Sequence, residues 1–143
     1  MSEESRAVWS EEADGSWPSA VIKRRTAERR VLISRAEAFL SGLPPSLGLV
    51  AGVVFGSTAR GDFNVWSDID VLVVARHLPA RPQDRLSLLL GDAAPGVQPV
   101  AWTPEEFARA SRKGNPIARE AIERGVVLVG RLPKGSGDVE VSP

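Results

Sequence analysis

The chain has 143 residues, 43% hydrophobic and 25% charged, which suits a single globular domain able to bury a core. Lys plus Arg and Asp plus Glu each total 18, so the formal net charge is zero and strong non-specific binding to nucleic acid is not expected. With no cysteine, disulfides and thiolate metal sites are excluded, and no apolar run approaches the roughly 20 residues that span a bilayer.

The opening Ser2-Glu3-Glu4 is acidic, unlike the basic start of a secretory signal, so the expected location is cytoplasmic. Residues 1–19 read as a flexible acidic arm whose Trp9 and Trp17 dock on the domain or on a partner. Residues 20–130 form the expected domain. From Val21 to Ser41 the pattern is helical, with Leu32, Ala36, Phe39 and Leu40 on one stripe and Val31 at its edge. Gly42 and Pro44-Pro45 end this helix. Its cations Lys23, Arg24, Arg25, Arg29 and Arg30 read as a solvated face balanced by the acidic arm.

Leu47 to Phe55 is apolar on both faces and reads as a central strand, and Ile69 to Ala75 is a second one. A helix over Pro82 to Leu90 should bury Leu86, Leu89 and Leu90. His77, the one histidine, falls in the polar loop before that helix and is expected to be solvated. Val97 to Trp102 is a third strand, placed at an edge or bulge by Pro99, which cannot donate to a ladder. Thr103-Pro104-Glu105-Glu106 is a helix start with Thr103 as N-cap and Glu106 closing a capping box. That helix stops at Gly114. Asn115-Pro116 starts another, which Gly125 ends, and Val126 to Val129 is a short last strand. Residues 131–143 are rich in Pro, Gly and Ser and read as a disordered tail. This alternation predicts an α/β (α+β) sandwich, a small mixed sheet flanked by helices.

The chemistry concentrates between Val53 and Val74. An apolar strand runs into Gly56-Ser57, and Ser67-Asp68-Ile69-Asp70 opens the next strand. Residues two apart on a strand share a face, so Asp68 and Asp70 project together with Cα atoms about 6.5–7 Å apart. Paired carboxylates suit a hard divalent cation that takes oxygen ligands, Mg²⁺ or Mn²⁺. Gly56 permits close approach to the main chain, and a helical turn over Thr58 to Arg60 would leave free N–H groups for an anion. Plainer roles exist for each residue: a positive φ for Gly56, an N-cap for Ser57, and an aspartate pair neutralised by Arg60. Arg60 is suited equally to a ligand phosphate or to an internal carboxylate. Trp66 is placed either to stack on a base or to pack on the sheet edge. Glu105 and Glu106 serve a helix N-terminus rather than catalysis.

Gly56-Ser57-x-Ala59-Arg60-Gly61, followed by Ser67-Asp68-x-Asp70 at the head of an apolar strand, resembles the minimal nucleotidyltransferases of the DNA polymerase β superfamily. The likeness runs from about Thr26 to Val129. It implies a polymerase-β-type nucleotidyltransferase fold, with Gly56 and Ser57 on the triphosphate of a nucleoside triphosphate and Asp68 and Asp70 on metal. Family members carry a third carboxylate on a neighbouring strand, and Gln98 takes that position here. A neutral amide accepts no proton at ordinary pH and is a weaker metal ligand than a carboxylate. Asp62 and Asp92 are candidates for a replacement. The resemblance further implies transfer of a nucleoside monophosphate from an NTP, with ATP the expected donor. It also implies a protein partner, a helical HEPN-type protein of a toxin–antitoxin module, or a second copy of the chain. The rival reading is a catalytically impaired, antitoxin-like module that binds nucleotide or partner with Gln98 marking lost chemistry.

Overall fold

The computed structural model describes residues 19–64, 68–91 and 96–133. The arm with Trp9 and Trp17, the pair Trp66 and Ser67, Asp92, and the tail from residue 134 lie outside the described residues.

Helix α1 (Ser19–Ser41) buries Leu32, Ala36 and Leu40, the stripe that its three- and four-residue spacing requires. Val31 lies off that stripe and is exposed. A single 3₁₀ turn, Pro45–Leu47, then leads through left-handed Gly48 into β1 (Leu49–Phe55). The strand therefore starts two residues later than its apolar pattern suggests, because Leu47 is buried as part of the turn. Next come the one-turn helix α2 (Ser57–Arg60), β2 (Ile69–Ala75), α3 (Pro82–Leu90) and β3 (Val97–Trp102). Helices α4 (Pro104–Arg112) and α5 (Pro116–Arg124) precede the last strand, β4 (Val126–Gly130).

The sheet has the order β3-β2-β1-β4, with β1 antiparallel to both β2 and β4, and β2 parallel to β3. The two uninterrupted apolar strands are thus the central ones, since burial on both faces removes the need for polar alternation. Pro99 sits on edge strand β3, where a missing ladder donor costs least. Alternation along the strands makes two cores. Val54, Ile69, Val71, Val73 and Val97 pack with α1 and with Leu89 of α3. Ala51, Val53, Phe55, Leu72 and Val74 pack with Phe107 of α4 and with Ala118 and Ala121 of α5. The result is a mixed sheet between two helical layers, the expected class.

Helix α4 has the full capping box, Thr103 Oγ1 accepting from Glu106 N and the Glu106 carboxylate accepting from Thr103 N. Asn115 caps α5, its Oδ1 accepting from the amides of Ile117 and Ala118. Helix α3 buries only Leu89 fully. Leu86, expected in its buried face, is 44% exposed, because nine residues against an edge strand cover a narrower stripe. His77 is exposed, as expected. No helix among the described residues is long and apolar enough to cross a membrane.

Candidate active site at the shared end of β1, β2 and β3

One end of the sheet gathers the motif. β1 finishes at Phe55, whose register partner on β2 is Asp70, and Asp70 is in turn paired with Gln98 on β3. Ile69 and Val97 belong to the core beneath α1, so alternation turns Asp70 and Gln98 to the opposite face, over which α5 lies. Asp68, two residues before Asp70, is exposed at the rim. Gln98, the residue expected at the third-carboxylate position, thus lies beside Asp70 and is exposed.

Gly56 adopts φ +75°, ψ −151°, a conformation open almost only to glycine. A second reason for glycine is space: a Cβ here would run into the Asp70 carboxylate. The main chain and that carboxylate thus meet at a bare corner. Gly56, rather than Ser57, is the N-cap of α2, so Ser57 does not serve the capping role its type would allow. The first intrahelical bonds come from Arg60 N to Gly56 O and Gly61 N to Ser57 O, which leaves the amides of Ser57, Thr58 and Ala59 ahead of the ladder.

Electrostatically the corner is acidic. Burial pushes the Asp70 carboxyl above the ordinary carboxylate range, the negative charges of Glu120 and Asp68 add to this, and Arg60 opposes it. Among the described residues no guanidinium pairs with Asp68 or Asp70. Arg60 instead donates to Glu120 of α5 and, at 3.4 Å, to Asp62, and the hydrogen bond to Glu120 raises its pKa further. The alternative in which Arg60 neutralises the aspartate pair does not occur. Asp62, offered as a replacement carboxylate, is an exposed partner of Arg60. Asp92 lies outside the described residues.

The donor set fits a magnesium-like ion. No group of three or more His, Cys, Asp or Glu among the described residues could hold a metal alone. Mg²⁺ asks for less, since it commonly takes one or two carboxylates and completes its shell with water and substrate phosphate.

The basic residues of α1 correct the reading of a fully solvated face. Lys23, Arg24 and Arg30 are exposed, whereas Arg25 and Arg29 turn toward the motif. Arg29 donates from Nε to Thr58 O at 2.9 Å and from Nη2 to Ala59 O at 3.1 Å. Arg25 donates to Gly61 O and Phe63 O at 3.0 and 2.9 Å, with its guanidinium 3.9 Å over the Phe63 ring. Their four-residue spacing was a visible signal that both share one helix face. Glu120 gave no such signal, since sixty residues separate it from Arg60.

A cavity of about 670 Å³ opens between the start of α1 and the loop after α2, lined by Val21, Ile22, Arg25, Arg60 and Asp62 among others. A second, of about 550 Å³, lies along α3, β3 and α4 and touches none of the motif residues.

Comparison with known proteins agrees with this arrangement. The nucleotidyltransferase domain family matches residues 34–122, well over half of the chain. The "Putative protein adenylyltransferase MJ1305" of Methanocaldococcus jannaschii is 36% identical over 64 residues, 43% of this chain and 44% of that protein. The chain thus matches less than half of that relative's length. The crystal structure of a "putative nucleotidyltransferase" from Sulfolobus solfataricus superposes with a TM-score of 0.57 at 20% identity, covering 79% of this chain and 93% of the other, which is a likeness of fold. A Gly-Ser corner against a half-buried aspartate at the head of a parallel strand pair, within a match of this extent, makes the chain a member of the nucleotidyltransferase domain family.

Proposed function

We propose that the chain moves a nucleoside monophosphate from a nucleoside triphosphate, ATP by preference, to an acceptor hydroxyl in a divalent-metal-dependent reaction. The observation that carries this reading is the corner where Gly56 meets the Asp70 carboxylate with no Cβ between them, and where, among the described residues, no guanidinium forms an ion pair with Asp68 or Asp70. Asp68 and Asp70 would hold Mg²⁺ or Mn²⁺. When bound, the ion neutralises phosphate charge and orients the α-phosphate for in-line attack.

The remaining work belongs to the chain. Gly56 admits the triphosphate to the main chain, and Ser57, first residue of α2, offers it a hydroxyl. Arg60 exchanges a carboxylate partner for a phosphate. The acceptor oxygen forms its bond to the α-phosphorus as the bond to the β-phosphate oxygen breaks, and pyrophosphate leaves. The acceptor proton passes to solvent, since Gln98 cannot take it. The relative whose name contains protein adenylyltransferase supports ATP as donor and a protein as acceptor. We propose a helical HEPN-type partner of a toxin–antitoxin pair as that acceptor, or a second copy of the chain.

Gln98 favours a second reading, an antitoxin-like module that binds nucleotide or partner without turnover. One experiment separates the two: labelled ATP with Mg²⁺ or Mn²⁺ and candidate acceptors, comparing native protein with Asp68→Asn and Gln98→Asp. Metal-dependent pyrophosphate release lost in Asp68→Asn supports the enzyme. Binding without turnover, with turnover gained in Gln98→Asp, supports the module. Absence of nucleotide binding in every variant removes both.

A further inference from the structure

Helix α1 contributes two cations to the back of the Gly56–Phe63 segment, and neither is explained by the motif. Arg29 spreads its fork over two successive carbonyl oxygens, Thr58 O and Ala59 O. Arg25 reaches two further carbonyls, Gly61 O and Phe63 O, both from its Nη2. Four backbone carbonyls within six residues are thus tied to one helix face, while Thr58 itself is 2% exposed and fixed in the core. No carboxylate pairs with Arg29 among the described residues, so its charge is solvated by peptide dipoles rather than cancelled. Arg25 has only a 3.6 Å contact to Glu28. Holding a loop this way costs two long side chains their rotamer freedom, and a loop with no fixed task has no need of it.

We propose that Arg29, supported by Arg25, is a positioning residue for triphosphate binding: it fixes the Gly56–Ala59 segment from behind through the Thr58 and Ala59 carbonyls and brings to it a positive charge with no carboxylate partner among the described residues. This rests on the nucleotide reading above. The fork is the essential element. A lysine keeps the charge but cannot bridge two carbonyls in one plane, so Arg29→Lys separates geometry from charge, and Arg29→Gln removes both. Neither touches the ligand directly.

The test uses the full chain and two probes, Mg-ATP and inorganic tripolyphosphate, with calorimetric affinity, steady-state kinetics on ATP and thermal melting for each variant. Arg30→Gln, an exposed neighbour on α1, is the control. Arg29→Gln is expected to weaken both probes about ten- to a hundredfold, a range usual when a supporting contact is lost from a positioned site. Arg29→Lys should recover only part of this, with the loss falling on KM for ATP, and Arg30→Gln should bind as the native chain does. Free guanidinium should partly restore tripolyphosphate binding to Arg29→Gln. If Arg29→Gln does not fold, Arg29→Lys decides. Folded variants with native affinity, or a lowered melting temperature with unchanged affinity, overturn the proposal and leave the nucleotide reading intact. A native chain that binds neither probe overturns the nucleotide reading, and this proposal with it.

Discussion

Asp70 and Gln98 are register partners across the parallel β2–β3 pair, their side chains on the same face at the same end of the sheet. An amide thus stands beside the proposed metal ligand Asp70. Replacing Gln98 by Asp places an anionic group and a proton acceptor at this exposed position. We expect pyrophosphate release to rise about a hundredfold, the lower end of what general-base assistance gives. An unchanged rate in a folded Gln98→Asp protein means that this position is not where the chemistry lacks a group.

Arg60 is held by Glu120, and the guanidinium cannot serve a phosphate fully while that pair persists. Glu120→Gln should therefore raise affinity for metal-free tripolyphosphate about two- to fivefold, the scale of a partly exposed ion pair. The same substitution relieves Asp70 of a repulsive charge. Titration calorimetry of tripolyphosphate into both proteins measures the first effect directly. A fall in affinity would show that Glu120 positions Arg60 for the ligand.

Gly56→Ala faces two separate penalties, a Cβ at φ +75° and a collision with the Asp70 carboxylate. The backbone penalty alone is about 1–3 kcal/mol. We expect a lower melting temperature together with loss of Mg-ATP binding. Retained nucleotide affinity in the folded variant would contradict the idea that ligand and main chain meet there.

Asp70 is a carboxylate in partly buried surroundings with negative neighbours, an arrangement that costs stability and that a bound cation would relieve. Asp70→Asn should therefore melt at a higher temperature than the native chain in the absence of divalent metal. Added Mg²⁺ should raise the melting temperature of the native chain and leave that of Asp70→Asn in place. Equal responses to Mg²⁺ would remove Asp70 as a ligand.

Away from the site, Arg85 ties the edge strand to α4. Its side chain, 12% exposed, donates to Ala101 O, to Pro79 O and to both carboxylate oxygens of Glu106. The hydrogen bond from Arg85 holds Glu106 below its ordinary pKa of 4.5, burial opposes, and the bonds from Thr103 assist. A lowered folded value means the unfolded chain binds this proton more readily. The stabilisation is therefore complete above about pH 4.5 and is lost as pH falls through the lowered folded value. Urea melts across the acid range should show a shallower acid limb for Glu106→Gln. Arg85→Met should cost about 1–2 kcal/mol at neutral pH, because it leaves half-buried acceptors unpaired.

Much of this was legible in the residues themselves. The bounds of β2, α3 and β3, the edge position of Pro99 and the Thr103–Glu106 capping box follow from hydrophobic period, ladder chemistry and capping, which act between neighbours a few residues apart. The likeness carried by Gly56-Ser57 and Asp68-x-Asp70 identified the family for the same reason, its parts being close in the chain. Leu47 belongs to a 3₁₀ turn rather than to β1, and Leu86 is exposed, because apolar character does not say which layer will cover a residue. Tertiary structure alone decided that Arg60 goes to Glu120 rather than to the aspartates, and that Arg25 and Arg29 grip backbone carbonyls rather than face water. Those partners lie about thirty to sixty residues apart. A long charged side chain has several acceptors of similar worth within reach, and only the packing of one element on another selects among them.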